Sequence, residues 1–184
     1  MSRRTAVAIL AAWLALLGLS GPAAAETIRA ELESVQEVPS VSSGASGRFR
    51  GRISRDESRI DWVLSYEGLE GDVQQGHIHF GQSRVNGGIT VFFCTNLGNG
   101  PAGIQACPPA PAEISGTILA VDVSPNIPAT LAARNQGLDT AELAELVQAI
   151  REGVTYANVH SASFPGGEIR GQIKSSSRHD HDDD

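Results

Sequence analysis

The feature that most restricts the fold of this chain is a two-residue alternation of apolar side chains in short segments from Thr27 onward. In residues 60–66, Ile-Asp-Trp-Val-Leu-Ser-Tyr, every second side chain is large and apolar. This period places those side chains on one face of a β-strand. Because glycine, serine, asparagine and aspartate separate such segments, we predict strands at 28–32, 46–53, 59–66, 76–80, 88–93, 114–121, 155–161 and 168–173.

One stretch has helical periodicity instead. Five apolar side chains recur there at helical intervals among good helix formers: Leu138, Leu143, Leu146, Val147 and Ile150. Asp139 followed by Glu142 predicts an N-terminal cap, and Gly153 predicts the end of the helix. We therefore expect one short helix at 140–152 in a mostly β fold, a Greek-key sandwich or barrel of immunoglobulin-like or superoxide-dismutase-like type.

The first 25 residues have the layout of a signal peptide. Two arginines supply the positive start, an apolar stretch runs from Ala6 to Leu19, and Ala23 and Ala25 supply the small side chains that signal peptidase needs. The apolar stretch falls short of the roughly 20 residues of a spanning helix, so an uncleaved anchor is the weaker alternative. We predict cleavage after Ala25, no transmembrane segment in the remaining chain, and a periplasmic or secreted location.

Cleavage would leave an acidic chain of one domain's length. Residues 26–184 carry 12 lysines and arginines against 21 aspartates and glutamates, a formal charge of −9. Nucleic acid is excluded as an expected partner, because a phosphate backbone requires a basic face. We predict one β domain at 26–174 and a disordered acidic tail at 175–184, which has nothing apolar to bury.

The two cysteines, Cys94 and Cys107, flank a segment rich in glycine, asparagine and proline. In an exported protein such a pair is expected to form a disulfide. The alternative is a pair of thiolate metal ligands, which the oxidising compartment and the absence of a third cysteine or a nearby histidine disfavour.

The segment His-Ile-His-Phe at 77–80 is the most informative motif for function. Side chains alternate across a strand, so His77 and His79 share the face opposite the isoleucine and phenylalanine. His160 lies in another predicted strand, again opposite its apolar neighbours. If the two strands adjoin, three imidazoles converge, and neutral imidazole suits Zn²⁺ or Cu²⁺.

An ordinary polar face is the alternative to a metal site. Each ring would then hydrogen-bond to the backbone or to neighbours such as Asn158, Glu168 and Arg170, which would surround the ligands if a metal were bound. Glu168 and Arg170 share a predicted polar strand face, where we expect an exposed ion pair with a structural role, the alternative being that it orients His160.

The tail offers a second and weaker set of metal donors. His179 and His181 alternate there with aspartates, although a solubilising acidic tail is the simpler interpretation.

Several segments together resemble one known family. The stretches 153–161 (GVTYANVHS) and 164–173 (FPGGEIRGQI), the segment HIHFG at 77–81 and the opening residues 30–39 are similar to the CHRD, or chordin-type, domain family. The resemblance covers about residues 28–174 and implies a secreted β-sandwich or barrel module, found repeated in chordin and singly in bacterial exported proteins. The loop between the two cysteines looks like an insertion relative to the family.

Three functions are compatible with these observations. The first is a binding module of the cell envelope, either for a protein or matrix partner or for copper or zinc held by the three histidines. The second is a metalloenzyme of the superoxide dismutase type, and the third is a purely structural or protein-interaction domain. No complete catalytic constellation can be assembled, since the serines near His160 lack an elbow motif.

Overall fold

The computed structural model describes residues 25–176, which form nine strands and two short helices. All eight predicted strands are present, with ends shifted by up to three residues. The elements are β1 (Glu26–Glu33), β2 (Ser46–Ile53), β3 (Ile60–Glu67), β4 (Val73–Phe80), β5 (Gly88–Thr95), β6 (Ala112–Ile118), α1 (Leu131–Asn135), α2 (Leu143–Arg151), β7 (Thr155–Ser161), β8 (Ile169–Gln172) and β9 (Lys174–Ser175).

The strands form one antiparallel sheet in the order β5-β4-β7-β8-β1-β2-β3-β6, and β9 also pairs with β1. The connections after β3, β5 and β6 join strands that are not adjacent, as long Greek-key connections do. Gln105 links the two ends of this order, because its amide donates to Phe93 O of β5 at 3.1 Å and to Ser115 O of β6 at 3.3 Å. The sheet is therefore nearly closed, and the predicted mostly β barrel or sandwich is confirmed.

The hydrophobic core fills the inside of this sheet. The alternation in β3 is the predicted one, since its buried side chains are Ile60, Trp62, Leu64 and Tyr66. The Phe93 ring contacts Phe49 and Trp62, with ring centroids 5.3 and 4.6 Å apart. Trp62 lies opposite Gly116 of β6, where a Cβ would come within 2.8 Å of the indole, so the missing side chain leaves room for it.

The helical region differs from the prediction of one helix at 140–152. The helix α2 begins three residues later, because Ala141 has a φ of 69° and interrupts the helical backbone. A carboxylate oxygen of Glu142 accepts the Asp139 N–H at 2.6 Å, so the two predicted capping residues do interact, but ahead of the helix. The five-residue helix α1 was not predicted, since it is too short to show a period.

Two further boundaries differ from the expected ones. Ser175, which we assigned to the tail, is buried and pairs with Ile28 in β1, so the sheet extends past residue 174. Residues 119–121 were expected in a strand, but they enter a 3-10 turn in which Asp122 accepts the Leu119 N–H at 2.8 Å. The predicted signal peptide, apart from Ala25, and the tail from residue 177 lie outside the described residues. Among the described residues no helix is long and apolar enough to cross a membrane.

The two cysteines form the predicted disulfide, with an S–S distance of 2.04 Å. Asn96 organises the segment between them. Its amide donates to Val73 O at 2.8 Å and Cys107 O at 2.9 Å, and its oxygen accepts the Cys107 N–H at 3.0 Å. The bridge thus fastens the segment after β5 to β5 itself, and Asn96 fastens it to β4.

Candidate metal centre

Neighbouring strands bring the three predicted histidines together. In the β4–β7 ladder, His77 lies opposite Asn158, and Gln75 lies opposite His160. The rings of His77, His79 and His160 therefore lie on the sheet face that points away from the core, as their position in the alternation predicts. One nitrogen from each ring lies within 4.8 Å of the other two.

The spacing of the nitrogens fits a shared metal ion. Nδ1 of His77 lies 3.3 Å from Nε2 of His160. Two ligands of one tetrahedral metal with bonds of about 2.0–2.1 Å lie about 3.3 Å apart, and no two ligands can be more than about 4.2 Å apart. The pair His77 and His160 already has the tetrahedral spacing, whereas a spacing of 4.8 Å must close by at least about 0.6 Å for any shared ion, and by about 1.5 Å for a tetrahedral one.

Backbone carbonyls orient two of the rings. Nδ1 of His79 lies 2.9 Å from Gly87 O, and Nδ1 of His160 lies 2.9 Å from Pro165 O. A carbonyl oxygen can only accept, so Nδ1 carries the proton in both rings and Nε2 carries a lone pair. The Nε2 atoms of His77 and His79 are buried without a hydrogen-bond partner. Metal-ligating histidines usually have the arrangement of His79 and His160, with one nitrogen bonded to a carbonyl or carboxylate and the other available to the metal. His77 has no such carbonyl, and its Nδ1 is the nitrogen that lies close to His160.

Burial keeps all three rings in the neutral form that binds metals. Burial lowers the pKa of His77 well below its usual value, and the neighbouring His79 and His160 lower it further. Burial lowers the pKa of His79 to about 3, against the opposing effect of its bond to Gly87. Burial also lowers the pKa of His160, although the Pro165 carbonyl opposes this. Near pH 7 each ring therefore offers a lone pair without first having to lose a proton.

Aromatic and cationic groups stack beside His79. Its ring is parallel to that of Tyr156, with centroids 4.7 Å apart, and the guanidinium carbon of Arg170 lies 3.4 Å from the Tyr156 centroid. The two groups are too close to the ring to share one face, so Tyr156 separates His79 from Arg170. The tyrosine hydroxyl accepts the Gly87 N–H at 3.2 Å. Tyr156 therefore contacts His79 directly and also holds the residue whose carbonyl orients it.

Arg170 fixes the loop that carries this carbonyl. Its Nη2 donates to the carbonyl oxygens of Gln82 and Val85 at 3.0 and 2.8 Å, and its Nη1 donates to Asn86 at 3.3 Å. Arg170 is only 2% exposed in spite of its charge. These bonds hold the loop between β4 and β5 against the sheet.

The other two residues expected around the ligands also make contacts away from the rings. Asn158 donates to a carboxylate oxygen of Glu37, and Glu168 accepts the Glu70 N–H at 2.9 Å. The expectation of an exposed ion pair between Glu168 and Arg170 is wrong, because both side chains are buried and no salt bridge joins them among the described residues. Loops cover this face of the sheet, and a polar pattern in sequence does not reveal such a cover.

Glu37 is a buried carboxyl group that the motif analysis did not single out. Burial raises its pKa to about 7, although Arg170 and the hydrogen bonds from Val38 and Asn158 oppose this. Gly167 packs against it with a φ of 126°, and a Cβ there would lie 2.7 Å from the Glu37 carboxylate. The close approach explains why this turn needs glycine.

The residues that orient the rings were not predicted either. Gly87 and Pro165 act through backbone carbonyls, which every residue has, and Tyr156, although it lies in a segment that resembles the family, was given no role there. His179 and His181 lie outside the described residues.

Comparison with known proteins identifies the family. No curated protein and no solved structure matches the chain. The family model of the CHRD domain matches residues 28–173, which include all three histidines and all strands except the first two residues of β1 and β9 at the end. The chain therefore belongs to the CHRD domain family.

Proposed function

We propose that this protein is an exported CHRD-domain binding module that holds a transition metal ion, copper or zinc, with His77, His79 and His160. The observation that supports it most strongly is the trio itself: three buried, neutral imidazoles with one nitrogen each within 4.8 Å of the others. Copper and zinc are among the ions that imidazole nitrogen suits.

The hydrogen-bond inventory favours a cation over a polar network. The Nδ1 protons of His79 and His160 are used by carbonyls, so these two rings present only lone pairs to each other. The neutral His77 ring has one N–H group, which can donate to the lone pair of only one neighbouring ring. The trio therefore contains more hydrogen-bond acceptors than donors. An unpaired buried acceptor costs about 1–3 kcal/mol. A metal ion accepts all three lone pairs at once and removes this cost.

Three protein ligands leave a coordination position free, which is also the arrangement of catalytic zinc sites. A superoxide-dismutase-like activity therefore remains the alternative for the same site. Arg170, however, lies on the far side of the Tyr156 ring and donates to the loop backbone, so it does not supply a guanidinium next to the metal. We favour metal binding without catalytic turnover. An unidentified envelope protein is then the expected binding partner of the module.

Export is supported by two independent features. The disulfide fits an oxidising compartment, and residues 1–25 have the layout of a cleavable leader. The test is the mass of the protein recovered from the periplasm or medium of an expressing cell, which should correspond to a chain that begins at Glu26. A protein that retains residue 1 and stays in the cytoplasm would contradict export.

Metal binding is tested with the chain from Glu26, stripped with a chelator and titrated with Zn²⁺ or Cu²⁺ against a competing indicator. We expect one ion per chain, and nitrogen hyperfine structure in the Cu²⁺ electron paramagnetic resonance spectrum. His79→Ala and His160→Ala should each abolish the tight site. At a free metal concentration of about 100 times Kd, binding should stabilise the fold by about 2.7 kcal/mol.

The tail provides the matched control, because it also holds two histidines. The double variant His179→Ala, His181→Ala should retain the tight ion. If the tail variant loses the ion and the His79 and His160 variants keep it, the trio is not the site. Uptake accompanied by rapid loss of superoxide would instead favour the enzyme, and no uptake at all would leave a structural or protein-interaction domain.

A further inference from the structure

Three cations lie side by side on the outer face of the sheet. In the registers of β9 with β1 and of β1 with β2, Lys174 lies opposite Arg29, and Arg29 lies opposite Arg50. All three side chains are exposed. Like charges directly opposite each other on neighbouring strands destabilise a sheet. We call these three residues the cationic row.

The other arginines on this face have acidic neighbours. Arg48 forms an ion pair with Glu31 at 2.8 Å, and Arg52 lies opposite Asp61 in the ladder of β2 with β3. Among the described residues, no ion pair joins any member of the cationic row to a carboxylate. The row is therefore a concentration of positive charge on a chain whose net charge is negative.

The chain leaves the described structure beside this row. Ser176 follows β9, and its hydroxyl accepts the Thr27 N–H at 3.2 Å, two residues away from Arg29 along β1. Residues 177–184 then hold four aspartates, at 180 and 182–184, against one arginine. Six extended residues span about 20 Å. Two neighbouring strands are only about 10 Å across, so these aspartates can reach every member of the row.

We propose that the acidic segment 177–184, which we call the tail, docks on the cationic row of its own chain. The charges are complementary, and the tether supplies an effective concentration that a separate anion must match from solution. Exposed ion pairs are individually weak, so docking depends on several at once and is sensitive to salt. This proposal does not depend on metal binding at the histidine trio.

Nuclear magnetic resonance on the chain from Glu26, with chelator present, tests this directly. A chain that ends at Ser176 is compared with the full chain by means of the Nε–Hε resonances of Arg29 and Arg50, with Arg55 as a reference outside the row. We expect the deletion to shift the first two resonances and to leave Arg55 unchanged. The difference should vanish between about 20 and about 500 mM NaCl, where the Debye length falls from about 20 Å to about 4 Å.

A pair of double variants separates docking from general charge effects. Arg50→Gln with Lys174→Gln removes two charges from the row, and Arg55→Gln with Arg84→Gln removes two exposed charges elsewhere. Only the first should lower the heteronuclear Overhauser effects of residues 180–184. The proposal would be overturned if both double variants lowered these Overhauser effects equally. It would also be overturned if the Arg29 and Arg50 resonances did not shift when the tail is deleted. Anionic phospholipid vesicles that shift Arg29 and Arg50 equally with and without the tail would overturn it too, because an external anion would then occupy the row.

Discussion

Replacing Glu37 with glutamine is expected to remove a large pH dependence from the stability of this fold. The carboxyl group is 6% exposed, and burial raises its pKa from 4.5 to about 7 in spite of the nearby Arg170. The folded state therefore binds this proton more tightly than the unfolded chain does. The stability that it contributes is fully present below about pH 4.5 and is lost as the pH rises through about 7.

The magnitude follows from the two pKa values. Since one pKa unit corresponds to about 1.4 kcal/mol, the change from 4.5 to about 7 amounts to roughly 3 kcal/mol in all. Most of this, about 2–3 kcal/mol, falls between about pH 5 and about pH 8. Glutamine stays neutral throughout and keeps an oxygen that can accept from Asn158. We therefore expect the wild-type protein to lose about 2–3 kcal/mol more stability than Glu37→Gln between these two pH values.

Urea unfolding at about pH 5 and about pH 8, with chelator present, measures this difference. The exposed Glu113, replaced by glutamine, controls for the loss of one carboxyl group. If wild type and Glu37→Gln change in parallel between the two pH values, the carboxylate is adequately compensated in the folded state, and the reasoning from burial is refuted.

Three more changes test other parts of the structure. Gly167→Ala should cost more than 2 kcal/mol in urea unfolding, because it forces a side chain into a positive-φ position with contacts below 3.0 Å, whereas the neighbouring Gly166→Ala, with open space around it, should cost under about 1 kcal/mol. Replacing Cys94 and Cys107 together with alanine should lower the free energy of unfolding by about 2–3 kcal/mol, a loss that reductant should reproduce in the wild type. Tyr156→Phe, which keeps the stacked ring but loses the hydroxyl that accepts the Gly87 N–H, should weaken metal binding in the competition assay by up to about tenfold, and Tyr156→Ala by more. Equal affinity in all three proteins would show that the stack does not position His79.

Alternation along a strand was sufficient to predict which face the histidines take. His77 and His79 are two residues apart, and strand geometry alone places them together and away from Ile78. The pairing of β4 with β7 was not predictable in the same way, because about 75 residues separate the two strands. Several antiparallel partners of β4 would satisfy its apolar pattern equally well. The convergence of His160 with the other two rings was therefore predicted only on the condition that the two strands adjoin. The pairing of β4 with β7 meets that condition and fixes the distances between the rings.

Burial of the polar face is the main feature that the sequence pattern did not predict. A strand with polar residues on one face usually exposes that face to water. Here every residue of β7 is buried, including Asn158 and His160. Loops before β5 and before β8 supply the cover, and Arg170 binds one of them through backbone oxygens. Every residue has a backbone carbonyl, so residue types do not reveal which loop makes these contacts. The alternation of polar and apolar residues alone therefore suggests a solvated surface.

Glycines in these loops are nevertheless sequence features that indicate the site. A Cβ at Gly87 would lie 1.7 Å from the Phe80 carbonyl oxygen, so only glycine lets the backbone come close enough for its own carbonyl to reach His79. A Cβ at Gly167 would likewise lie 2.6 Å from the Asn158 amide nitrogen and 2.7 Å from the Glu37 carboxylate, so glycine is needed for the close approach there too. Two histidines on one strand face do not by themselves indicate a metal site. Two histidines followed within ten residues by a glycine whose position admits no side chain form a more specific pattern. It predicts that the loop folds back on His79 and sets its tautomer, which leaves the lone pair on Nε2 where a metal ion could use it.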